Sequence, residues 1–192
     1  MELLKVLALG AHYDDVEAGA GGTLWKHRLK NDHVSIAITS FNEIRTGNMD
    51  MRHKEQLDSL SLLGINNLLL FKEEDDNVVS ILDKLKPDII YTMFESDTHY
   101  AHRRCSRIGQ AVGRRSQVIF YNSGTSYDFL PNMFSIISFR FKKKLLECFK
   151  SQIELSAINI DIIQRRESYW ASLVSANHAE GFVVRKMLYE VK

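Results

Sequence analysis

The sequence predicts an α/β protein with a Rossmann-like, mostly parallel sheet covered by helices on both faces. In the first half of the chain, strand-like apolar runs alternate with helix-compatible segments, the order expected of strand–helix–strand units. The apolar runs are nearly continuous rather than alternating, which is typical of strands buried on both faces. Two polar clusters follow the first and the fourth run. In a sheet of this kind the ligand site lies at the C-terminal ends of the strands, so we expect both clusters there.

Each element rests on a local pattern. The strands of the first half are predicted at 3–9, 34–40, 66–71, 88–94 and 117–123, and the helices between them at about 19–30, 51–63, 78–86 and 101–115. In the second of these helices Leu57, Leu60, Leu62 and Leu63 share a broad face, and Gly64 is a stop signal. The second half is less regular. We predict a loop with a short strand over 121–139, two helical pieces from Lys142 to about Leu173, and a final strand in "GFVVRKMLYEV".

Length and composition limit the classes of protein that fit. A chain of 192 residues suits one domain, 1–192, with a single core. A formal net charge of +1 gives no strong field for nucleic acid or an anionic membrane. No apolar run approaches the roughly 20 residues that span a bilayer, and the start lacks a secretory signal pattern. We therefore expect a cytoplasmic protein with no nucleic-acid or membrane partner, in which Cys105 and Cys148 are reduced.

The first polar cluster, "GAHYDDVEAGAGG" at 10–22, contains a glycine-rich turn, but the turn does not fit a phosphate. Its glycines form neither G-x-G-x-x-G directly after a strand nor a P-loop motif. Asp14, Asp15 and Glu17 would also repel a phosphate unless a cation lay between them. Simple dinucleotide binding is therefore disfavoured.

A divalent metal ion explains the cluster better. His12 and Asp15 are three residues apart, so one turn can direct both at one ion and leave Asp14 free. The second cluster, "ESDTHYAHRR" at 95–104, adds His99 and His102. Two histidines and one carboxylate with a position open to water are the ligands of catalytic zinc sites. Zinc lowers the pKa of its bound water to about 7, and a nearby carboxylate can take the proton as that water attacks.

Simpler interpretations exist for each cluster alone. An Asp-Asp pair after a strand is commonly a helix N-cap beside a solvated acid. A His-x-x-His spacing on a helix is often an exposed face. The two clusters are specific only together, at two strand ends that face one crevice.

These residues resemble a known family. "AHYDDVEAGAGGTL" resembles the A-H-P-D-D-x-E-x-G-x-G-G-T signature of the LmbE-like (PIG-L) superfamily of zinc-dependent N-deacetylases, and "SDTHYAHRR" resembles its second block, D-x-H-x-D-H-R. "NEIRTG", "RHKEQLDSLSLLG" and "LKPDIIYTMF" resemble segments between the two blocks. The C-terminal part, "FYNSGTSYDFLPNMFSIISFRFKKKLLECFKSQ" with "HAEGF", is similar to members of the bacillithiol-pathway type. The resemblance thus extends over essentially the whole chain.

The resemblance implies a metal-dependent hydrolase that removes an acetyl group from the amide nitrogen of a small amino sugar or glycoconjugate. By position, the metal ligands are His12, Asp15 and His102, the general base is Asp14, and His99 helps to hold the oxyanion after metal-bound water attacks. The implied cofactor is Zn²⁺, although Fe²⁺, Co²⁺ and Ni²⁺ suit the same ligands. The implied partners are a small acetamido-sugar substrate and further copies of the chain, because relatives often form trimers or hexamers.

Two further positions are predicted to contact substrate. Arg52 aligns with an arginine that faces the substrate in some members. His178, together with Glu180 in "HAEGF", is predicted at the mouth of the pocket, with an exposed helix end as the alternative. His27, His33 and His53 are expected on the surface.

The sequence departs from the family pattern at three places. Tyr13 replaces a proline, and "FNE" at 41–43 replaces the glycine before Glu43. Ala101 replaces an aspartate between the paired histidines, and its absence would weaken the tautomer preference of His99 unless Asp97 substitutes for it. Two alternatives stay open. One is a metallohydrolase that uses the same site on another amide or ester. The other, indicated by Ala101, is a catalytically weakened metal- or carbohydrate-binding member of the same fold.

Overall fold

The computed structural model describes residues 3–42 and 48–186 of the 192-residue chain. Its strands are β1 (Lys5–Gly10), β2 (His33–Ile38), β3 (Asn67–Leu70), β4 (Ile89–Met93), β5 (Gln117–Tyr121), β6 (Met133–Ile136) and β7 (Ala179–Lys186). They form a seven-stranded sheet in the order β3-β2-β1-β4-β5-β7-β6. The first five strands are parallel to one another, and β7 runs antiparallel to both β5 and β6. The predicted fold class is therefore confirmed.

The helices are α1 (Asp15–Leu29), α2 (Met49–Leu63), α3 (Val78–Asp83), α4 (Tyr100–Val112), α5 (Phe139–Leu146), α6 (Lys150–Glu154) and α7 (Ile160–Ser172). α1 packs against α2 and α5, whereas α3 packs against α4. The chain runs outward from β1 through β2 to β3, and then returns to place β4 on the other side of β1. The gap between β1 and β4 is thus the point where the strand order reverses, where open α/β sheets bind ligands.

The boundaries differ from the predictions in instructive places. α1 begins at Asp15 rather than near residue 19, so the acidic pair lies at the start of the helix. The C-terminal helical region contains three helices rather than two, and Ser156 in the break after α6 has a left-handed φ of 58°. Leu57 and Leu62 are exposed, so only half of the predicted leucine face is buried. The prediction for Glu43 and the part of the final strand beyond 186 lie outside the described residues.

The first turns of α1 are held against the sheet and the C-terminal elements. A Cβ at Gly19 would lie 2.0 Å from the ring of Tyr121, so only glycine allows α1 to approach β5 this closely. The fully buried Glu180 accepts hydrogen bonds from the backbone N–H groups of Gly22 and Thr23, both at 2.8 Å. Glu180 therefore fixes the helix backbone and does not lie at a pocket mouth, contrary to the prediction.

A buried lysine completes this contact. Lys142 in α5 is fully buried, and its Nζ donates to Glu180 Oε1 at 2.7 Å and to Glu167 in α7. Two carboxylates thus share one ammonium group, and burial raises the pKa of Glu167. The cluster joins α1, α5, α7 and β7.

Both cysteines are free, as predicted, with Cys105 buried. Among the described residues, no helix has the length and apolar character needed to cross a bilayer.

Candidate metal and catalytic site

The loop between β1 and α1 supplies the first group of site residues. The backbone N–H of His12 donates to Asp15 Oδ2 at 2.7 Å, which turns the Asp15 carboxylate back toward the strand end. Asp14 occupies the N-cap position of α1, but its side chain makes no capping hydrogen bond. The simpler interpretation of the Asp-Asp pair, a cap beside a solvated acid, therefore does not describe Asp14.

The loop between β4 and α4 supplies the second group. His99 is the N-cap residue of α4, and its Nδ1 accepts a hydrogen bond from the backbone N–H of Ala101 at 3.3 Å. A neutral His99 ring in this position carries its proton on Nε2. The expectation that Ala101 deprives His99 of its tautomer preference is therefore wrong, because the backbone at residue 101 sets that preference.

The two loops meet because β1 and β4 are neighbours in the sheet. One ligand atom from each of His12, Asp15 and His102 lies within 4.8 Å of the others. His102 Nε2 is 3.6 Å from Asp15 Oδ1, and His12 Nδ1 is 3.4 Å from Asp15 Oδ2. His102 is only 6% exposed, so the exposed-face interpretation of His-x-x-His fails for it. Two imidazoles and one carboxylate at this spacing fit a divalent transition-metal ion.

Asp97 supports His102 from behind. Its Oδ1 lies 3.1 Å from His102 Nδ1, which leaves Nε2 as the nitrogen that faces Asp15. Burial would raise the pKa of Asp97, but hydrogen bonds from His102, Ser123 and the backbone N–H of His99 hold it well below its usual range. Asp97 is thus placed behind the ring of His102, whereas the sequence indicates it as a substitute partner for the ring of His99. A carboxylate behind a ligating histidine fixes the ring and raises its basicity.

Asp14 has a different environment from its neighbour. Its carboxylate is 13% exposed, and its Oδ2 lies 3.9 Å from Arg52 Nη2. Burial and the adjacent Asp15 carboxylate raise the pKa of Asp14, against the opposing effects of Arg52 and His12. Burial alone would also raise the pKa of Asp15, but His102 and His12 outweigh it and lower that pKa. The environment thus separates two adjacent acids into one that stays ionised and one that can hold a proton.

A cavity of about 460 Å³ opens onto these groups. The predicted residues that line it are His12, Asp14, Asp15, Arg52, His99 and His102. His178 is not among the lining residues, since its ring stacks on Phe139 at 5.0 Å. Its predicted substrate contact has no support in this geometry.

Sequence reasoning missed several residues that line the cavity. Ser123 and Thr125 follow β5, and Ile158, Ile163 and Arg166 come from the segment between α6 and α7 and from α7 itself. The turn residues "NSGT" marked a loop but no chemistry, and the isoleucines have ordinary helical spacing. Nothing in the sequence singled out Arg166.

The fold and the site together define an α/β protein with a candidate three-ligand metal site at the reversal point of its sheet. The sequence profile of the family described as GlcNAc-PI de-N-acetylase (PIG-L) matches residues 7–112, more than half of the chain, so the chain belongs to this family. The match spans both loops of the site, and it confirms the resemblance read from the motifs.

Individual relatives are more distant. A protein of Escherichia coli (strain K12), named uncharacterized deacetylase YaiS, is 25% identical over 150 residues, which cover 69% of this chain and 81% of the relative. The crystal structure of an N,N'-diacetylchitobiose deacetylase from Pyrococcus horikoshii aligns with a TM-score of 0.79 at 19% identity, over 95% of this chain and 84% of that one. The structure of GalB, a 4-carboxy-2-hydroxymuconate hydratase from Pseudomonas putida KT2440, aligns with a TM-score of 0.79 at 16% identity, over 99% of both chains. Because this fold carries a hydratase as well as deacetylases, the reaction must be argued from the site.

Proposed function

We propose that this protein is a metal-dependent N-deacetylase, which hydrolyses the acetamido group of a small amino sugar or glycoconjugate and releases acetate and a free amine. The observation that carries the proposal is the arrangement of groups that line one cavity: a candidate three-ligand set, a neighbouring acid outside that set, and an imidazole whose Nδ1 accepts a backbone N–H. The PIG-L family description and the names of the deacetylase relatives support it.

His12, Asp15 and His102 would hold the ion, which we propose to be Zn²⁺, with Fe²⁺ or another divalent transition metal as the alternative. When bound in such a site, the ion supplies Lewis acidity and a water of lowered pKa. Asp97 keeps His102 in the tautomer that leaves Nε2 free for the ion. The ligand set is thus oriented before any ion arrives.

Asp14 is the proposed general base. It lies in the cavity wall beside Asp15, and its raised pKa brings it closer to the pH at which a carboxylate exchanges protons efficiently. Asp14 would accept the proton of the attacking water on a carboxylate oxygen and return it to the departing amine. Arg52, 3.9 Å away, limits the movement of that carboxylate between the two steps.

His99 is the proposed oxyanion donor. Because its Nδ1 accepts the N–H of Ala101, a neutral ring presents Nε2–H to the cavity. A positioned donor of this kind stabilises the negative charge that develops on the amide oxygen. His99 lies edge-on to His12 with 5.0 Å between ring centroids, which places the donor beside the ligand set.

The remaining expectations are part of the same proposal. A single domain, a cytoplasmic location and assembly into homo-oligomers stay predictions, and the two free cysteines favour a reducing compartment. A small molecule is the proposed partner, with no nucleic acid and no membrane.

The test is acetate release. Protein loaded with Zn²⁺, and separately with Fe²⁺ under anaerobic conditions, is incubated with a panel of N-acetyl amino sugars and with amide and ester controls. We expect equimolar acetate and primary amine from at least one acetamido sugar. The Asp14→Asn variant should keep its metal and lose roughly 100-fold or more in kcat. Full activity of that variant would remove Asp14 from the base role, and an absence of acetate across the panel would contradict the deacetylase assignment.

The weakened-member alternative rested on Ala101. The structure weakens the argument for this alternative, because the backbone N–H of Ala101 contacts the His99 ring and Asp97 supports His102. Ala101 is 1% exposed, so a larger side chain there would overpack the start of α4. We therefore expect Ala101→Asp to lose activity; a large gain in rate would favour the weakened-member alternative.

A further inference from the structure

Tyr13 lies directly before the proposed base and is buried, with 2% of its surface exposed. Its hydroxyl shares a hydrogen bond with His53 Nδ1 at 3.1 Å, and the two rings meet edge-on with 5.8 Å between centroids. His53 comes from the N-terminal part of α2. The expectation that His53 is a surface residue is therefore wrong, because this ring is half-buried against the loop that carries the site.

The backbone of the next residue explains why this contact matters. Asp14 has a φ of 93°, in the left-handed half of the map that residues other than glycine rarely occupy. Such a conformation persists only where the surroundings hold it, and it is concentrated at functional sites. The peptide that joins Tyr13 to Asp14 is planar, so a contact that fixes Tyr13 also restricts the position of the Asp14 backbone and the directions open to its side chain.

α2 contacts this stretch at three points. Arg52 Nη2 donates to the carbonyl oxygen of Tyr13 at 3.2 Å and lies 3.9 Å from the carboxylate of Asp14. Gln56 Oε1 accepts from the backbone N–H of Asp14 at 3.4 Å. His53 lies between these two on the helix and shares a hydrogen bond with the Tyr13 hydroxyl, while the Arg52 guanidinium lies 6.0 Å from the centroid of the Tyr13 ring. The Gln56 contact is long, at 3.4 Å, whereas the His53 contact anchors a large buried ring through a hydrogen bond of 3.1 Å.

The same position explains the departure from the family pattern. Proline fixes φ and offers no N–H. The N–H of Tyr13 donates to none of the residues at 3–42 and 48–186, and its φ is negative, so the backbone here does not require an N–H. A buried phenol hydrogen-bonded to a histidine can restrict the loop through its side chain, whereas a proline restricts the loop through its backbone.

We propose that the Tyr13–His53 pair is a clamp that positions the Asp14 carboxylate in the cavity, and that both are positioning residues for the hydrolytic step. The proposal rests on the proposed function, in which Asp14 is the base. The pair acts through the peptide between residues 13 and 14 and makes no contact with the reacting atoms. His12 is held separately by its bond to Asp15, so loss of the clamp leaves the metal ligands in place.

Conservative variants test the clamp. Tyr13→Phe removes only the hydroxyl, and His53→Leu removes its partner. We expect each to lower kcat about fivefold, the factor that corresponds to about 1 kcal/mol for one hydrogen bond. KM and metal content should stay within about twofold of wild type, and the double variant should be no worse than either single one, because both remove the same interaction. His53→Asn keeps a polar atom near the position of Nδ1 and should recover most of the loss. His33→Leu, an exposed histidine, is the matched control and should leave kcat unchanged.

Two results would overturn the clamp. One is an unchanged kcat in Tyr13→Phe, or losses that simply add in the double variant. The other is a crystal structure of Tyr13→Phe in which the φ of Asp14 and the distance from its carboxylate to Arg52 are both unchanged. A changed φ or a shifted carboxylate would support the clamp. That structural result holds whether or not a substrate is known. A wild-type protein that releases no acetate would count against the proposed function alone.

Discussion

Replacing Asp97 by asparagine removes one charge and almost no volume, and it perturbs the site from outside the ligand set. The Asp97 carboxylate is 1% exposed and accepts from the backbone N–H of His99 at 2.8 Å and from Thr125 Oγ1 at 2.8 Å. It also faces His102 Nδ1 at 3.1 Å and accepts from Ser123 and Ser126. All these neighbours can donate to a carboxylate, whereas an asparagine presents an NH₂ group to part of the same set.

Two magnitudes follow from these contacts. Loss of the carboxylate behind a ligating histidine weakens metal binding about 10- to 100-fold. A buried donor turned toward other donors costs about 1–3 kcal/mol of unfolding free energy. At about 2–4 °C per kcal/mol for a domain of this size, the metal-free protein should lose roughly 2–12 °C in Tm. Both effects should appear together, because one side chain serves both roles.

The assay is competitive titration of Zn²⁺ against a chelator dye, with thermal unfolding of the metal-free protein in parallel. Asp58→Asn, an exposed residue on α2, is the control and should change neither quantity. Unchanged zinc affinity in Asp97→Asn would refute the role of Asp97 behind His102, whatever happens to Tm. A lower Tm alone would reduce Asp97 to a loop-bracing residue.

Three further variants test other parts of the structure. Lys142→Met leaves Glu167 and Glu180 buried without their cation, so it should lower the free energy of unfolding by about 3–5 kcal/mol in urea titrations. Lys143→Met, at an exposed position, is the control. A loss below about 1 kcal/mol in Lys142→Met would contradict the stabilising role of the cluster. Burial raises the pKa of Glu17 to about 7 from 4.5, so its folded state binds the proton more tightly and the stability of the metal-free protein should fall as pH rises from about 4.5 through 7. Glu17→Gln should remove up to roughly 3 kcal/mol of that fall between pH 5 and pH 8, and an unchanged slope would contradict it. Arg166→Gln should raise KM about tenfold with little change in kcat, because Arg166 lines the cavity but is not one of the proposed metal ligands, base or oxyanion donor. The exposed Arg165→Gln is the control and should have no effect. A selective loss of kcat in Arg166→Gln would contradict this role.

The fold was predictable where the sequence pattern is governed by burial. The five parallel strands appear as apolar runs because both of their faces are covered, and each was found within a few residues of its predicted position. Gly64 ends α2 with a φ of 68°, as its stop signal indicates. In the C-terminal half the short strand within 121–139 and the final strand were predicted, and the helix breaks were not. These breaks depend on residues such as Ser156, whose left-handed conformation is not marked by a glycine or proline in the sequence.

The residues of the candidate site were likewise predictable only in part. The proximity of His12, Asp15 and His102 could be predicted because potential metal ligands are specific residue types, and here they follow strands that the topology makes neighbours. The residues that orient them were harder to find. The support of Asp97 for His102 and the contact of His53 with Tyr13 join residues five and forty positions apart, and no spacing rule singles them out. His178 and Glu180 were misplaced because "HAEGF" has a polar composition, while the fold buries Glu180 against Lys142.

The most direct test of the central claim is the metal content of the purified protein, measured by mass spectrometry after loading with Zn²⁺ or Fe²⁺ and removal of free ion. Wild type and His102→Ala should be compared, with His33→Ala as an exposed-histidine control. The three-ligand site predicts about one ion per chain in wild type and in the control, and a loss of most of it in His102→Ala. Wild-type protein that binds no ion under these conditions, or His102→Ala that retains a full equivalent, would contradict the site and the hydrolytic function built on it.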